Sequence, residues 1–303
     1  MVRRNKQDRL VNGILLLDKP VGLTSNAVLQ KIKRLFNARK AGHTGSLDPL
    51  ASGLLPICLG EATKISAYLL NADKKYQAIC QLGITTSTAD AEGEIIKSTE
   101  VPALDSKFIK KILKKFTGEI DQLPPMYSAL KKNGQPLYKL ARQGIEVERS
   151  TRKVNIYSLD LIKIEKNKLY LDVHCSKGTY IRTLSEDIGR ELGCGAHLSG
   201  LRRIATGPFV INQAIDNDTL ESMASESIDQ LDAQLLPMDS ALEHIPAVNL
   251  TEDSAYYIKQ GQAVLVANAP TGGLVRLLNE QHFLGIGHIL DDGRVAPKRL
   301  IND

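Results

Sequence analysis

Gly42-His43-Thr44-Gly45-Ser46-Leu47-Asp48-Pro49-Leu50-Ala51-Ser52-Gly53-Leu54-Leu55 is the stretch on which the reading of this chain turns. One carboxylate, Asp48, stands in a segment poor in helix and strand formers. Gly42, Gly45 and Gly53 open backbone conformations closed to other residues. Pro49 fixes its own φ and pushes Asp48 toward an extended conformation. An acid held on a stiffened loop among apolar neighbours is unusual for a solvated charge. The alternative is a helix cap, because Asp-Pro is also a common pair at the start of a helix. Local chemistry on its own favours the cap.

Outward from this loop, the pattern alternates between strand and helix. Gly13-Ile14-Leu15-Leu16-Leu17 ends at Asp18, too short for a signal-peptide core, and reads as a buried strand. Thr24-Ser25-Asn26 offers N-caps for a helix carrying Val28, Leu29, Ile32, Leu35 and Phe36. Residues 76–82 read as a strand and 85–93 as a turn-rich loop. A helix capped by Asp105 is predicted to bury Phe108, Ile109, Ile112, Leu113 and Phe116 and to stop at Gly118. Residues 168–175 alternate like a half-buried strand, and a helix follows over 183–192. Residues 213–242 look helical, and short strands with Gly-rich turns fill the chain from 246 onward. Residues 124–152 differ in kind. They mix prolines and glycines with lysines, arginines, Tyr127 and Tyr138. Such a weakly structured insert suits RNA binding by charge neutralisation and stacking, with a flexible surface loop as the plain alternative.

Composition narrows the class. A chain of 303 residues accommodates one large domain and a small one. No apolar run approaches the ~20 residues that cross a bilayer. Cys58, Cys80, Cys175 and Cys194 are widely spaced, which argues for free buried thiols in a reducing cytoplasm and against a metal site. The net charge is +5, unevenly distributed. Lysine and arginine crowd residues 3–9, 31–40, 107–115, 131–142 and 149–153, while 204–258 has none. The helix 107–115 reads mostly as a solvated face. The asymmetry still favours a polyanion on the first two-thirds of the chain.

The loop around Asp48 resembles the G-H-x-G-x-L-D-P-x-A-x-G-x-L motif of the TruB family of pseudouridine synthases. Other segments resemble the family in the right order: Gly60-Glu61-Ala62-Thr63-Lys64, Lys75-Tyr76, Thr88-Ala89-Asp90-Ala91-Glu92-Gly93 and Pro124-Pro125-Met126-Tyr127-Ser128-Ala129-Leu130-Lys131. Leu137 to Gly144, Cys175 to Leu184 and Gly193 to Arg203 continue the set, as does the end at Gly293-Arg294-Val295-Ala296-Pro297. The resemblance implies an α/β (α+β) pseudouridine-synthase fold: a mixed, largely antiparallel central sheet flanked by helices. It places the catalytic domain at 1–240, with an RNA-binding thumb at about 124–152, and a small β-rich PUA-like RNA-binding domain at 246–303.

The activity so implied is isomerisation of uridine to pseudouridine at position 55 in the T arm of tRNA, after the base is flipped out. No cofactor, metal or guide RNA is needed, and a cytoplasmic monomer is expected. The acceptor stem is within expected reach of the C-terminal domain. Asp48 is the implied catalytic carboxylate, with Arg182 as its charged partner. Tyr76 is expected to stack on the uracil and help handle the C5 proton, Tyr180 and Leu201 to line its pocket, and His43 to hold the RNA. Without the resemblance, Tyr76, Tyr180 and Leu201 read as core and His43 as a hydrogen-bonded core histidine. Asp90 reads as a local cap or a support behind Arg182. Lys64, Lys131 and Arg142 are candidate RNA contacts, although Lys64 also reads as a solvated lysine. Two other functions compete: an RNA-binding or tRNA-folding module, and a guide-dependent enzyme of ribosomal RNA. The complete Asp48 loop argues against a pure binding module, though not against an enzyme that also helps tRNA fold, and the small C-terminal unit with its bacterial-type thumb argues against the second.

Overall fold

A strand with no polar face has to be covered on both sides. Gly13–Lys19 is such a strand, buried at every position except Asp18. In the computed structural model, which describes residues 9–302, it lies second in a ten-stranded mixed sheet. The basic cluster at 3–9 therefore lies, apart from Arg9, outside the described residues. The sheet order is Ile215–Asp216, Gly13–Lys19, Ala51–Leu59, Ala196–Thr206, Lys74–Leu82, Lys168–Cys175, Arg152–Glu165, Gly118–Gln122. Ala41–His43 pairs with Ala51–Leu59, and Phe209–Val210 with Ala196–Thr206. Pairing is parallel between Gly13–Lys19 and Ile215–Asp216 and between Ala51–Leu59 and Ala196–Thr206, and antiparallel elsewhere.

Period-2 alternation sends the first strand's side chains to two cores. Leu15 and Leu17 meet Val28, Leu29 and Ile32 of helix Ser25–Leu35. Ile14 and Leu16 pack on the other face with Ile65, Leu69, Phe209 and, from the C-terminal unit, Ile286. A third core joins helices Ser106–Lys115 and Ile181–Glu191 to the strands that carry Tyr76, Ala78, Val173 and Leu198. The C-terminal unit is a four-stranded sheet, Ala247–Leu250, Leu274–Asn279, His282–Ile289 and Val295–Leu300. It also carries an eight-residue helix, Glu252–Lys259, that the sequence pattern does not announce; Thr251 caps it by accepting from Ser254 N. Arg276 bridges to Asp239 at 2.9 Å across the join.

The central sheet, the first helix and the free buried cysteines are as expected. Four details differ. Phe108 is 52% exposed, because the buried stripe runs through Ile109, Ile112 and Leu113 and leaves residue 108 at its flank. The helix predicted over 183–192 begins at Ile181, since Gln122 grips the main chain of Tyr180 on both sides and sets the first turn earlier. The predicted helical stretch 213–242 breaks into Asn217–Glu226, Ile228–Asp232 and a 3₁₀ turn at Met238–Leu242. The insert 124–152 is also more ordered than its composition suggests. Lys131–Lys132 and Gln135–Pro136 form a hairpin around Asn133-Gly134, both in the left-handed region, and helix Leu137–Arg142 follows.

Gly53 sits where the Asp48 strand crosses Arg203, its parallel partner. A Cβ there would lie 2.3 Å from the Arg203 carbonyl, and its φ of +104° is unfavourable for other residues. Gly53→Ala should therefore lower unfolding free energy by about 2–3 kcal/mol, as strain and overpacking do; urea unfolding checks it.

Candidate active site

The Asp48 loop is fixed at several points. Leu47 N donates to Ser25 Oγ (2.7 Å), and that hydroxyl donates back to the Leu47 carbonyl (3.0 Å). Gly22 N donates to Pro49 O at 2.7 Å, and Thr44 N to Pro56 O at 3.2 Å. Ala51 N donates to Asp48 O at 3.0 Å, closing a turn that runs straight into strand Ala51–Leu59. The helix-cap reading of Asp48 is thus overturned: no helix follows, because residues 51–59 pair with strands on both sides.

The carboxylate turns instead to Arg182. Arg182 Nε lies 3.0 Å from Asp48 Oδ2, and Nη1 lies 3.5 Å from Asp90 Oδ2. The remaining donors reach Thr88 O (3.3 Å, Nη1) and Tyr127 O (2.7 Å, Nη2). Arg182 and Asp90 are enclosed, with side chains 6% and 4% exposed, whereas Asp48 is 39% exposed and opens toward solvent. Burial pushes the Asp48 carboxyl above its ordinary value, the Arg182 charge pulls it down, and the Asp90 charge pushes it up again. Asp90 does both things considered for it. Oδ1 accepts from Thr88 Oγ1 and Glu92 N within its own turn, while Oδ2 faces Arg182. The Ala91 amide and the Ala89 carbonyl fasten that turn to Leu198 on the sheet.

Tyr76 lies on strand Lys74–Leu82, 9% exposed, in the same core cluster as Leu47 and Ala51. Burial raises its phenol above the ordinary tyrosine value, against the lowering charge of Arg203. Leu201 packs against the same cluster, paired with Ala51 on one side and Ala78 on the other. Tyr180 is half-buried at the head of helix Ile181–Glu191. His43 ends the Ala41–His43 strand, and its Nδ1 is buried without a partner, so the hydrogen-bonded core histidine is not what forms. Burial, then Arg203, lowers its pKa and keeps it neutral.

Lys64 departs from the solvated lysine of the sequence reading. Its ammonium binds Glu61 (2.5 Å) and the Leu300 carbonyl (2.9 Å), tying the two units together. It lines a cleft of about 390 Å³ with Tyr68, Asn71, Leu274, Lys298 and Arg299, apart from the Asp48 residues. Lys131 and Arg142 are exposed on the insert, with Arg142 5.6 Å from the Tyr138 ring centre.

Two buried cations beside the site escape sequence reasoning. Lys19 is enclosed, donates to Pro20 O and Leu23 O at 2.7 Å each, and is brought down to about 8 by burial against the raising charge of Asp48. Arg203 is 1% exposed. Strand alternation carries a signal here: Arg203 shares a face with Leu201, whereas Arg202 points to Asp18 at the surface (2.6 and 3.1 Å).

The two acids, the arginine and the tyrosine of this site stand on a mixed sheet with a small β-unit docked beside it, the architecture of a pseudouridine synthase. Residues 33–181 match the TruB family pseudouridylate synthase (N terminal domain), 182–243 the tRNA pseudouridylate synthase B C-terminal domain, and 246–301 the pseudouridine synthase II TruB C-terminal domain. The chain belongs to the TruB family. Proteins named tRNA pseudouridine synthase B are similar over almost their whole length. That of Stutzerimonas stutzeri is 56% identical over 302 residues, covering 99% of this chain and 98% of the relative. That of Nitrosococcus oceani is 54% identical over 300 residues, covering 99% and 97%. Among solved structures, a Cbf5-Nop10-Gar1 complex contains a chain with TM-score 0.73 and 29% identity, covering 96% of this chain and 84% of that one. Among the described residues no helix is long and apolar enough to cross a membrane.

Proposed function

We propose that this enzyme isomerises uridine to pseudouridine at position 55 in the T arm of tRNA, with Asp48 as catalytic carboxylate and without guide RNA or cofactor. The observation that carries this is the Asp48–Arg182 pair at 3.0 Å, a carboxylate open to the outside on an enclosed guanidinium. The uridine is extruded from the T loop to reach it. Breaking N1–C1′ leaves positive charge on the ribose and negative charge on the uracil. Asp48 stabilises the ribose, as the acidic groups of glycosidases do. Arg182 keeps Asp48 ionised against the partial burial that raises its pKa. The uracil, stacked on Tyr76 between Tyr180 and Leu201, rotates and bonds through C5. The C5 proton is then lost and N1 is protonated, so the reaction is a pure isomerisation. One carboxylate suffices because the leaving base is never released.

Identities of 54–56% over nearly the full length of proteins named tRNA pseudouridine synthase B, against 29% to a chain from the Cbf5-Nop10-Gar1 complex, support the stand-alone reading over the guided one. The direct test uses an unmodified tRNA transcript tritiated at uracil C5. Purified protein alone should release tritium from position 55, and absence of release would sink the proposal.

The insert of residues 124–152 and the exposed Lys298 and Arg299 are the expected RNA-facing cations, the latter pair toward the acceptor stem. Replacing Lys131 and Arg142 by alanine together should weaken tRNA binding and flatten its log–log salt dependence by roughly one to two units. Filter binding at several salt concentrations measures it, and an unchanged slope would exclude both as phosphate contacts.

A further inference from the structure

Among the described residues Arg203 is the largest wholly enclosed side chain, and it forms no salt bridge there. A buried guanidinium is unfavourable unless its donors are satisfied. Here the partners are all parts of the site. Nε donates to the Leu54 carbonyl at 2.7 Å, and Nη2 to the Gly45 carbonyl at 3.1 Å. Gly45 and Leu54 flank Asp48 on either side in the chain. The neighbour of Arg203 on the other strand is Tyr76, its register partner, whose phenol the Arg203 charge draws downward against burial. The strands explain how one side chain reaches both ends of the loop and comes to lie beside Tyr76. Arg203 faces Tyr76 across an antiparallel pair and Gly53 across a parallel pair. It stands between the strand that follows the catalytic loop and the strand that carries the stacking ring.

We infer that Arg203 is a positioning residue of the reaction, clamping both ends of the Asp48 loop and, by a further hydrogen bond to the phenol oxygen of its register partner, Tyr76 as well. A guanidinium only donates hydrogen bonds. The Tyr76 oxygen therefore accepts from Arg203, and its own proton is left to be donated elsewhere, toward the base. The clamp thereby sets the spacing between carboxylate and stacking ring and the direction of the phenolic proton. A lysine cannot replace it, because one ammonium on a flexible stem does not span three acceptors in a fixed fork. Neither Arg182 nor Lys19 does this work: the donors of Arg182 go to Asp48, Asp90, Thr88 and Tyr127, and those of Lys19 to Pro20 and Leu23.

This inference rests on the reading of Asp48 and Tyr76 as the reacting site, and the test separates the two. Single-turnover tritium release and tRNA affinity are measured for wild type, Asp48→Asn, Arg203→Lys, Tyr76→Phe and Arg203→Lys/Tyr76→Phe. The inference expects Arg203→Lys to slow release about 10²-fold, the scale of a small misplacement of reacting groups, with tRNA affinity unchanged. It also expects the losses of Arg203→Lys and Tyr76→Phe to be non-additive in the double variant, as for residues sharing one contact. In protein labelled with ¹³C at tyrosine Cζ, Arg203→Lys should move the Tyr76 resonance and leave the other tyrosines in place. A general loss of structure would not do this. Wild-type release by Arg203→Lys, additive losses, or an unmoved Tyr76 signal would overturn it. So would Arg203→Lys failing to fold, which would make Arg203 a residue of the fold alone. An active Asp48→Asn would instead remove the site reading itself.

Discussion

Asp48→Asn should cut single-turnover tritium release roughly 10⁴-fold, the scale seen when one member of a catalytic unit is removed, with tRNA bound as well as before. The amide is nearly isosteric, so the loop that Ser25, Gly22 and Thr44 hold keeps its shape. What is lost is charge. A neutral amide cannot stabilise an oxocarbenium-like ribose, and Arg182 is left with Asp90 as its remaining carboxylate. The loss should therefore fall in the chemical step. Weakened binding of equal size would instead make Asp48 a contact for RNA. Undiminished release would end its assignment as the catalytic carboxylate. The wild-type pH profile follows from the same geometry. Burial raises the Asp48 pKa above its ordinary 3.8, and the proposed mechanism uses the ionised form. The rate should consequently fall as pH drops through a value above 3.8, and above that value the carboxylate should impose no further rise.

The sheet is legible in the sequence because its strands carry strong local signals. The unbroken apolar run of Ile14, Leu15, Leu16 and Leu17 specifies a buried strand without tertiary information, and the alternation over Lys168–Cys175 a half-buried one. Helix Ser106–Lys115 is legible from its Asp105 cap, which accepts from Phe108 N as expected. Its exact buried face is not, because Phe108 and Ile109 are neighbours and only the packed sheet decides between them. The site divides in the same way. Asp48, Tyr76, Asp90 and Arg182 lie far apart in sequence, and local chemistry takes Asp48 for a cap; ordered motifs, rather than local propensity, point to them. Lys19 and Arg203 stay hidden because a lysine or arginine reads as surface by default. Only the closure of the sheet turns Arg203 inward against main-chain carbonyls.

Arg182→Lys should slow release about 10²-fold, the scale of an ångström-sized misplacement, and should also move the acid side of the pH profile upward. The guanidinium serves four acceptors at once: Asp48, Asp90, the Thr88 carbonyl and the Tyr127 carbonyl. Lysine carries the same charge but cannot hold that fork, so its ammonium settles on some of the four and Asp48 loses part of its stabilisation. Since the Arg182 charge holds the Asp48 pKa down, weakening it lets burial raise that pKa further. The deficit of the lysine variant should thus grow as the pH falls. Asp90→Asn supplies the opposite sign. The Asp90 charge pushes the Asp48 pKa up, so removing it should carry the acid side of the profile downward, even as the rate drops because Arg182 loses a support. A misfolded or generally loosened protein would shift both variants the same way. Opposite shifts, read from single-turnover rates along the acid side of the profile, would mean that the two residues set the ionisation of Asp48 through charge, and parallel shifts would refute it.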